Sequence, residues 1–171
     1  MIHVYYGDGK GKTTAALGLT LRAHGGSLRC VVVQFLKDWN VGELEALKIL
    51  GIPALRGIAE GPSFSNEMSE AEKEKTRKIH EWNLRIAFQW GIEGNRDFIV
   101  LDEALDALNL NLLGEEPLRQ YLDEQREKLE IVITGHQPVD WIMERADYVT
   151  EMVKHVHPFD RGITARKGVE F

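Results

Sequence analysis

Ile2-His3-Val4-Tyr5-Tyr6-Gly7-Asp8-Gly9-Lys10-Gly11-Lys12-Thr13-Thr14 is the stretch that decides the fold of this chain. The β-branched and aromatic run Ile2 to Tyr6, ended by glycine, predicts a strand. Thr13 to His24 predicts a helix, with Ala16, Leu17, Leu19, Thr20 and Ala23 facing inward and Gly25-Gly26 as its stop. A glycine-rich turn between a strand and a helix lets backbone N–H groups converge on phosphate oxygens. The lysine and the first threonine then add a cation and a hydroxyl for phosphate and Mg²⁺. Lys12 is therefore expected to hold phosphate oxygens and Thr13 to ligate Mg²⁺, with the N–H groups of Gly9 to Thr14 and the helix N-terminus as the anion cradle. The usual spacing has glycine where this chain has Tyr6. Its first glycine is Gly7, so the loop is one residue tighter than the common form.

Outward from that loop, apolar runs and helical patterns alternate. Leu28 to Gln34 is nearly continuous in apolar residues, as expected of a strand buried on both faces of a parallel sheet. Glu43 to Leu50 predicts a short helix closed by Gly51, and Ala54 to Ile58 a weaker strand. Glu60 to Asn66 reads as a loop around Phe64. Ser69 and Glu72 are spaced as a capping box opening a long helix, whose apolar positions include Ile79, Trp82, Leu84, Ile86, Ala87 and Trp90. Phe98 to Leu101 predicts a buried strand ending in Asp102-Glu103, and Pro117 suits the first position of a helix running to about Lys128. Ile131 to Thr134 predicts another buried strand, followed by the turn Gly135-His136-Gln137-Pro138, a short helix from Val139 to Arg145 and a strand from Tyr148 to Met152. The alternation implies an α/β fold, a mostly parallel sheet flanked by helices, in one domain spanning 1–171. Ligands of such sheets gather at the carboxyl ends of the strands, where Tyr6, Gln34, Asp102 and Thr134 precede the polar segments.

Composition bounds the partners. With 21 basic against 27 acidic residues the net charge is −6, which argues against a broad nucleic-acid surface and leaves an anionic ligand to local groups such as Lys10 and Lys12. The single cysteine, Cys30, cannot form an internal disulfide and sits in an apolar run, so it is expected to pack rather than react, in a reducing cytoplasm. No apolar segment approaches membrane-spanning length, and the first strand begins too early to leave room for a signal peptide.

Asp102 and Glu103 end a buried strand, the place where proteins with this loop keep the carboxylate that holds Mg²⁺. Which of the two dominates is open, and a strand-end carboxylate also caps helices. Lys37, Trp39 and Glu43 follow the second strand, either as an ordinary polar loop or as part of the site. Phe64 is either a small core cluster or the cover of a flat ligand, and His136 is either a turn histidine or a base. His155 and His157, two apart, would share one face of a strand. Lys154 or one of these histidines is expected to face phosphate or substrate.

Together these blocks resemble the ATP:corrinoid adenosyltransferases of the cobalamin-synthesis P-loop family. The resemblance rests on Gly7 to Ala16, Val32 to Lys37 with Gly42-Glu43, Val100-Leu101-Asp102-Glu103, Ile133-Thr134-Gly135, Ala146 to Met152, and the close His157 to Ile163 with Ala165 to Phe171. It implies a P-loop NTPase-like, RecA-type fold. The implied reaction transfers the 5′-deoxyadenosyl group of ATP to Co(I) of a reduced corrinoid and releases tripolyphosphate, with the nucleotide held in reverse of the usual P-loop sense. On that resemblance ATP contacts Gly7, Asp8, Gly9, Lys10, Gly11, Lys12, Thr13, Thr14 and Lys37. Mg²⁺ is held by Thr13, Asp102 and Glu103, the catalytic residues are Lys12, Thr13 and Glu103, and the corrinoid contacts Trp39, Glu43, Phe64 and His157. It further implies a homodimer and an electron donor or flavoprotein reductase. The chain departs from the family pattern at Pro62 beside Phe64, where two aromatics are common, and at His136, where arginine is common. An ordinary P-loop ATPase or small-molecule kinase, and a non-catalytic nucleotide-binding module, are the alternatives.

Overall fold

The computed structural model describes residues 1–37, 39–58 and 68–169. Its sheet has six strands, β1 (Ile2–Tyr6), β2 (Cys30–Gln34), β3 (Ala54–Arg56), β4 (Phe98–Asp102), β5 (Glu130–Gly135) and β6 (Tyr148–Glu151), in the order β3-β2-β4-β5-β1-β6. Every pairing is parallel. The helices are α1 (Lys12–Gly25), α2 (Gly42–Ile49), α3 (Glu70–Ile92), α4 (Ala104–Asn109), α5 (Glu115–Gln125) and α6 (Asp140–Met143), followed by a 3₁₀ turn at Pro158–Arg161.

Successive strand residues point to opposite faces, and the apolar runs supply both. Val31, Val33, Ile99, Leu101, Ile131 and Ile133 join Leu84, Ala87, Phe88, Leu105 and Leu118 from α3, α4 and α5 in one core. Val32, Val100, Val132, Cys30 and Phe98 join Ala16, Ala23, Leu47 and Ile52 in the other, beneath α1 and α2. Cys30 is buried as expected, and burial pushes its thiol up to about 11. Among the described residues no helix is long and apolar enough to cross a membrane.

Local expectations are corrected at a few places. Pro117 is the third residue of α5, because Gly114 caps the helix. Proline is tolerated there since the first-turn N–H groups have no intrahelical acceptor anyway. Trp82 points outward, 56% exposed, with the Arg85 guanidinium 4.2 Å from its ring. The inward face of α3 instead carries Thr76, His80 and Asn83 beside Leu84, Ala87 and Phe88, and His80 is accommodated there because its ring meets the backbone N–H of Leu36 and the carbonyl of Leu112. The Ser69–Glu72 capping box forms as expected. His155 and His157 lie beyond the end of β6 and not on a strand. His157 caps the 3₁₀ turn by accepting the Phe159 N–H. Phe64 and Pro62 lie outside the described residues.

Candidate functional site

The loop between β1 and α1 is shaped by what stands behind it. Gly7 and Gly11 have φ of 114° and 121°, a region that side chains rarely adopt. At Gly9 a Cβ would meet the Met152 carbonyl oxygen at 2.6 Å. The exit of β6 presses on the loop from the rear. The Gly9 N–H donates to the Met152 carbonyl at 2.6 Å, and the Met152 N–H donates to the Tyr6 carbonyl at 2.7 Å. The Gly7 N–H donates to the His136 carbonyl at 3.0 Å. Asp8 accepts the Lys154 N–H at 2.9 Å, the main cause holding its carboxyl below the usual range. Asp8 thus anchors the C-terminal segment to the loop, a role that local sequence does not signal. Gly9→Ala is expected to displace the loop and weaken ATP binding by about tenfold or more, since backbone cannot yield as a side chain tip can. Calorimetric titration with ATP checks this.

Lys12 is buried at the start of α1, its ammonium folded back to donate to the Gly9 carbonyl at 2.9 Å. Thr13 Oγ1 donates to Asp102 Oδ1 at 2.8 Å, which commits the hydroxyl proton and leaves the oxygen lone pairs for a cation. Asp102 is 1% exposed and fully satisfied. Thr134 Oγ1 donates to Oδ1 at 2.9 Å, and Lys37 Nζ and Gln34 Nε2 donate to Oδ2 at 2.7 and 3.4 Å. Burial opposes the Lys37 charge, but Asp102 outweighs it and holds the ammonium above its usual range. Asp102 therefore orients Thr13 and Lys37 from behind.

Glu103 stands at φ 61°, an unusual left-handed conformation for glutamate, and turns the chain out of β4 into α4. Burial, the Asp106 carboxyl and the Asp102 charge push its pKa up to about 7. Asp106 is pushed up by burial but held below its usual range by the His136 N–H groups, so the proton of the pair rests on Glu103. His136 Nδ1 lies 3.2 Å from Asp106 and 3.8 Å from Glu103, and the Asp106 hydrogen bond, against burial, raises the imidazole. Glu103, Asp106 and His136 form a cluster of groups able to ligate a metal.

Two adjoining cavities open on these side chains. One, of about 240 Å³, is lined by Asp8 to Thr14, Glu103, His136, His157 and Val169. The other, of about 610 Å³, is lined by Lys37, Trp39, Val41, Gly42, Glu43, Leu17 and Ala46, and by Gly168 near the C-terminus. Thr13, Thr14, Glu103 and Val169 belong to both and mark the junction. The fold thus assembles the expected residues Lys10, Lys12, Thr13, Thr14, Lys37, Trp39, Glu43, Asp102, Glu103 and His157 around one opening. Glu43 is tied to the Asp102 network through Gln34 Nε2 at 3.0 Å. The sequence placed Gln34 and Thr134 at the ligand end of the sheet without a role, and it did not single out Asp106. Asp106 was signalled only by its place three residues after Glu103, which is one helical turn.

A phosphate-cradling loop after β1, backed by an acidic residue at the end of β4 in an all-parallel sheet, defines a P-loop nucleotide-binding protein. The family model described as ATP:corrinoid adenosyltransferase BtuR/CobO/CobP matches residues 1–171, and the chain belongs to that family. It is 31% identical over 172 residues to the corrinoid adenosyltransferase of Escherichia coli, covering all of this chain and 85% of that protein. It is 30% identical over 172 residues to the corrinoid adenosyltransferase CobA of Salmonella typhimurium, with the same coverage. The corrinoid adenosyltransferase of Pseudomonas aeruginosa is 30% identical over 168 residues, 98% of this chain and 82% of that one.

Proposed function

We propose that this chain, as one domain over 1–171, transfers the 5′-deoxyadenosyl group of ATP to Co(I) of a reduced corrinoid and releases tripolyphosphate, serving adenosylcobalamin biosynthesis or salvage. The observation that carries this reading is the pair of cavities meeting at Thr13, Thr14 and Glu103. The narrow one, walled by loop N–H groups, Lys10 and Lys12, suits a triphosphate. The wide one, walled by Leu17, Val41, Ala46 and Trp39, suits a large flat substrate. The ribose 5′ carbon then lies at the junction.

Co(I) attacks that carbon in line, forming the cobalt–carbon bond as the carbon–oxygen bond breaks, and the electron pair leaves on the tripolyphosphate oxygen. Growing charge on that oxygen is met by the loop N–H groups and by Lys12, whose ammonium turns from the Gly9 carbonyl to phosphate. The donor set fits Mg²⁺: Thr13 offers lone pairs because its hydroxyl proton points to Asp102, and Glu103, on releasing its proton, would offer a carboxylate at the same opening. Bound there, Mg²⁺ would neutralise phosphate charge. Lys37 lines the wide cavity with its ammonium on Asp102, and reaches ATP once Asp102 shares its charge. Trp39 and Glu43, which line the wide cavity, are assigned to corrinoid contacts, together with Phe64 and with His157, which lines the adjoining loop cavity. Exposed Tyr148, Val149 and Val153 along the β6 edge support a homodimer, which would cover them. A flavoprotein reductase supplies the electron to the corrinoid, and the single buried cysteine suits the cytoplasm.

The test is the phosphate product. With ATP, Mg²⁺ and chemically reduced corrinoid, adenosylcorrinoid and tripolyphosphate should form in equal amounts. Orthophosphate release that does not need corrinoid would instead identify an ATPase.

A further inference from the structure

The ladder between β4 and β5 runs from Phe98 opposite Glu130 to Leu101 opposite Ile133 and ends there. Past that end the Glu103 N–H donates to a side chain, Thr134 Oγ1, at 2.9 Å. The same hydroxyl donates its proton to Asp102 Oδ1 at 2.9 Å, the oxygen that also accepts from Thr13 Oγ1 at 2.8 Å. A hydroxyl has one proton, so the bond given to Asp102 leaves the lone pairs that Glu103 needs. Thr134 is fully buried and lines neither cavity, whereas Thr13 and Glu103 line both. Glu103 holds φ 61°, a conformation that persists in a glutamate only where its surroundings fix it. One buried hydroxyl thus joins Asp102 and Glu103 directly, and reaches Thr13 through the shared oxygen.

We propose that Thr134 is the positioning residue for the cation side of the nucleotide site, its hydroxyl fixing the backbone of Glu103 directly and the Thr13 hydroxyl through Asp102. This rests on the placement of Mg²⁺ and the triphosphate given above. The anion side is held by other means. The loop is tied to the backbone of Met152 and His136, and Lys12 to the Gly9 carbonyl, contacts in which the Thr134 side chain takes no part. Removing the hydroxyl therefore separates two properties of one cavity. The part of nucleotide affinity that depends on the cation falls, and the part supplied by the cradle stays.

The experiment titrates ATP calorimetrically into the wild type, Thr134→Val, Thr134→Ser and Thr134→Ala, without corrinoid, once with saturating Mg²⁺ and once with EDTA. Valine keeps the shape of threonine and removes the hydroxyl, whereas serine keeps the hydroxyl. T134V should lose about tenfold in affinity for ATP with Mg²⁺ and less than about twofold in EDTA, while T134S stays within about threefold of wild type in both. T134A should repeat the Mg²⁺-selective loss, and it carries the test should T134V not fold. Equal losses with Mg²⁺ and with EDTA would assign Thr134 to holding the strand end alone and would overturn the proposal. So would unchanged affinities in T134V, or a loss in T134S as large as in T134V, which would trace the effect to side-chain shape. A wild type whose ATP affinity is the same with Mg²⁺ and with EDTA would overturn it through the cation placement on which it rests. A wild type that binds ATP more tightly with Mg²⁺ but forms no adenosylcorrinoid would count against the function proposed above and leave the role of Thr134 standing.

Discussion

Asp102→Ala is expected to destabilise the chain by about 3–5 kcal/mol and to lower adenosyl transfer by about ten- to a hundredfold beyond that loss. The carboxylate is 1% exposed and accepts from Thr13, Thr134, Lys37 and Gln34. Its removal leaves the Lys37 ammonium, 13% exposed, without its counter-charge in a site where water reaches poorly. An uncompensated buried charge costs more than the pair contributes when intact, so the damage should be partly reversed by Lys37→Met in the same background. The loss of transfer has a different origin. Without Asp102 the Thr13 hydroxyl can turn its proton toward the phosphates, and its lone pairs no longer face the cation. Urea denaturation of the two single variants and the double variant measures the coupling. A destabilisation of Asp102→Ala below about 1 kcal/mol, the range of an ordinary exposed pair, would rule this account out.

His80→Leu is expected to cost about 2–4 kcal/mol and to flatten the stability of the protein in mildly acidic solution. His80 is fully buried in α3, with Phe35 edge-on to its ring at 5.2 Å. Nδ1 lies 2.9 Å from the Leu112 carbonyl, and the Leu36 N–H lies 3.3 Å from Nε2. Only the neutral ring with its proton on Nδ1 serves both: it donates to Leu112 and accepts from Leu36. Leucine fills the space and leaves both backbone groups buried and unpaired. Leu36 sits at φ 58° just before Lys37, so loosening it also loosens the lysine that faces Asp102. Burial pushes the His80 pKa down to about 4, against about 6.5 in the unfolded chain. Between those values the unfolded chain binds the extra proton. The His80 contribution is thus fully present above about pH 6.5 and declines as pH falls toward about 4. Comparing unfolding free energies at pH 7 and pH 5 should show a larger acid loss for the wild type than for His80→Leu. Equal losses would show that His80 is not buried as a neutral ring.

Much of this arrangement was legible in local residues. Runs such as Val31-Val32-Val33 and Ile99-Val100-Leu101 announced strands buried on both faces, because a half-exposed strand would have alternated with polar side chains. Glycines between a strand and a lysine-threonine pair announced the phosphate loop, since only that backbone can turn its N–H groups inward. What stayed hidden involves groups that find partners across long separations. Trp82 read as core by type, yet Arg85 one turn away covers its ring in solvent. Nothing in the local pattern singled out His80, whose partners lie 44 and 32 residues away. The paired histidines near the C-terminus read as one strand face, but β6 ends at Glu151 and the chain beyond it turns to meet the loop.

By itself, then, the sequence determined the α/β architecture, the phosphate loop at the end of the first strand and the carboxylates at the end of β4. Each of these follows from short-range pattern, where side-chain type and spacing act on the nearest backbone. Only the tertiary structure decided how the roles divide. Parallel pairing brings the carboxyl ends of β1, β2, β4 and β5 together, and there Asp102 faces Thr13 and Lys37 while Glu103, one residue on, turns toward Asp106 and His136. It also showed why the loop is tight. The Met152 carbonyl stands where side chains on Gly7 and Gly9 would lie, and that contact spans more than a hundred residues of chain that no local pattern records.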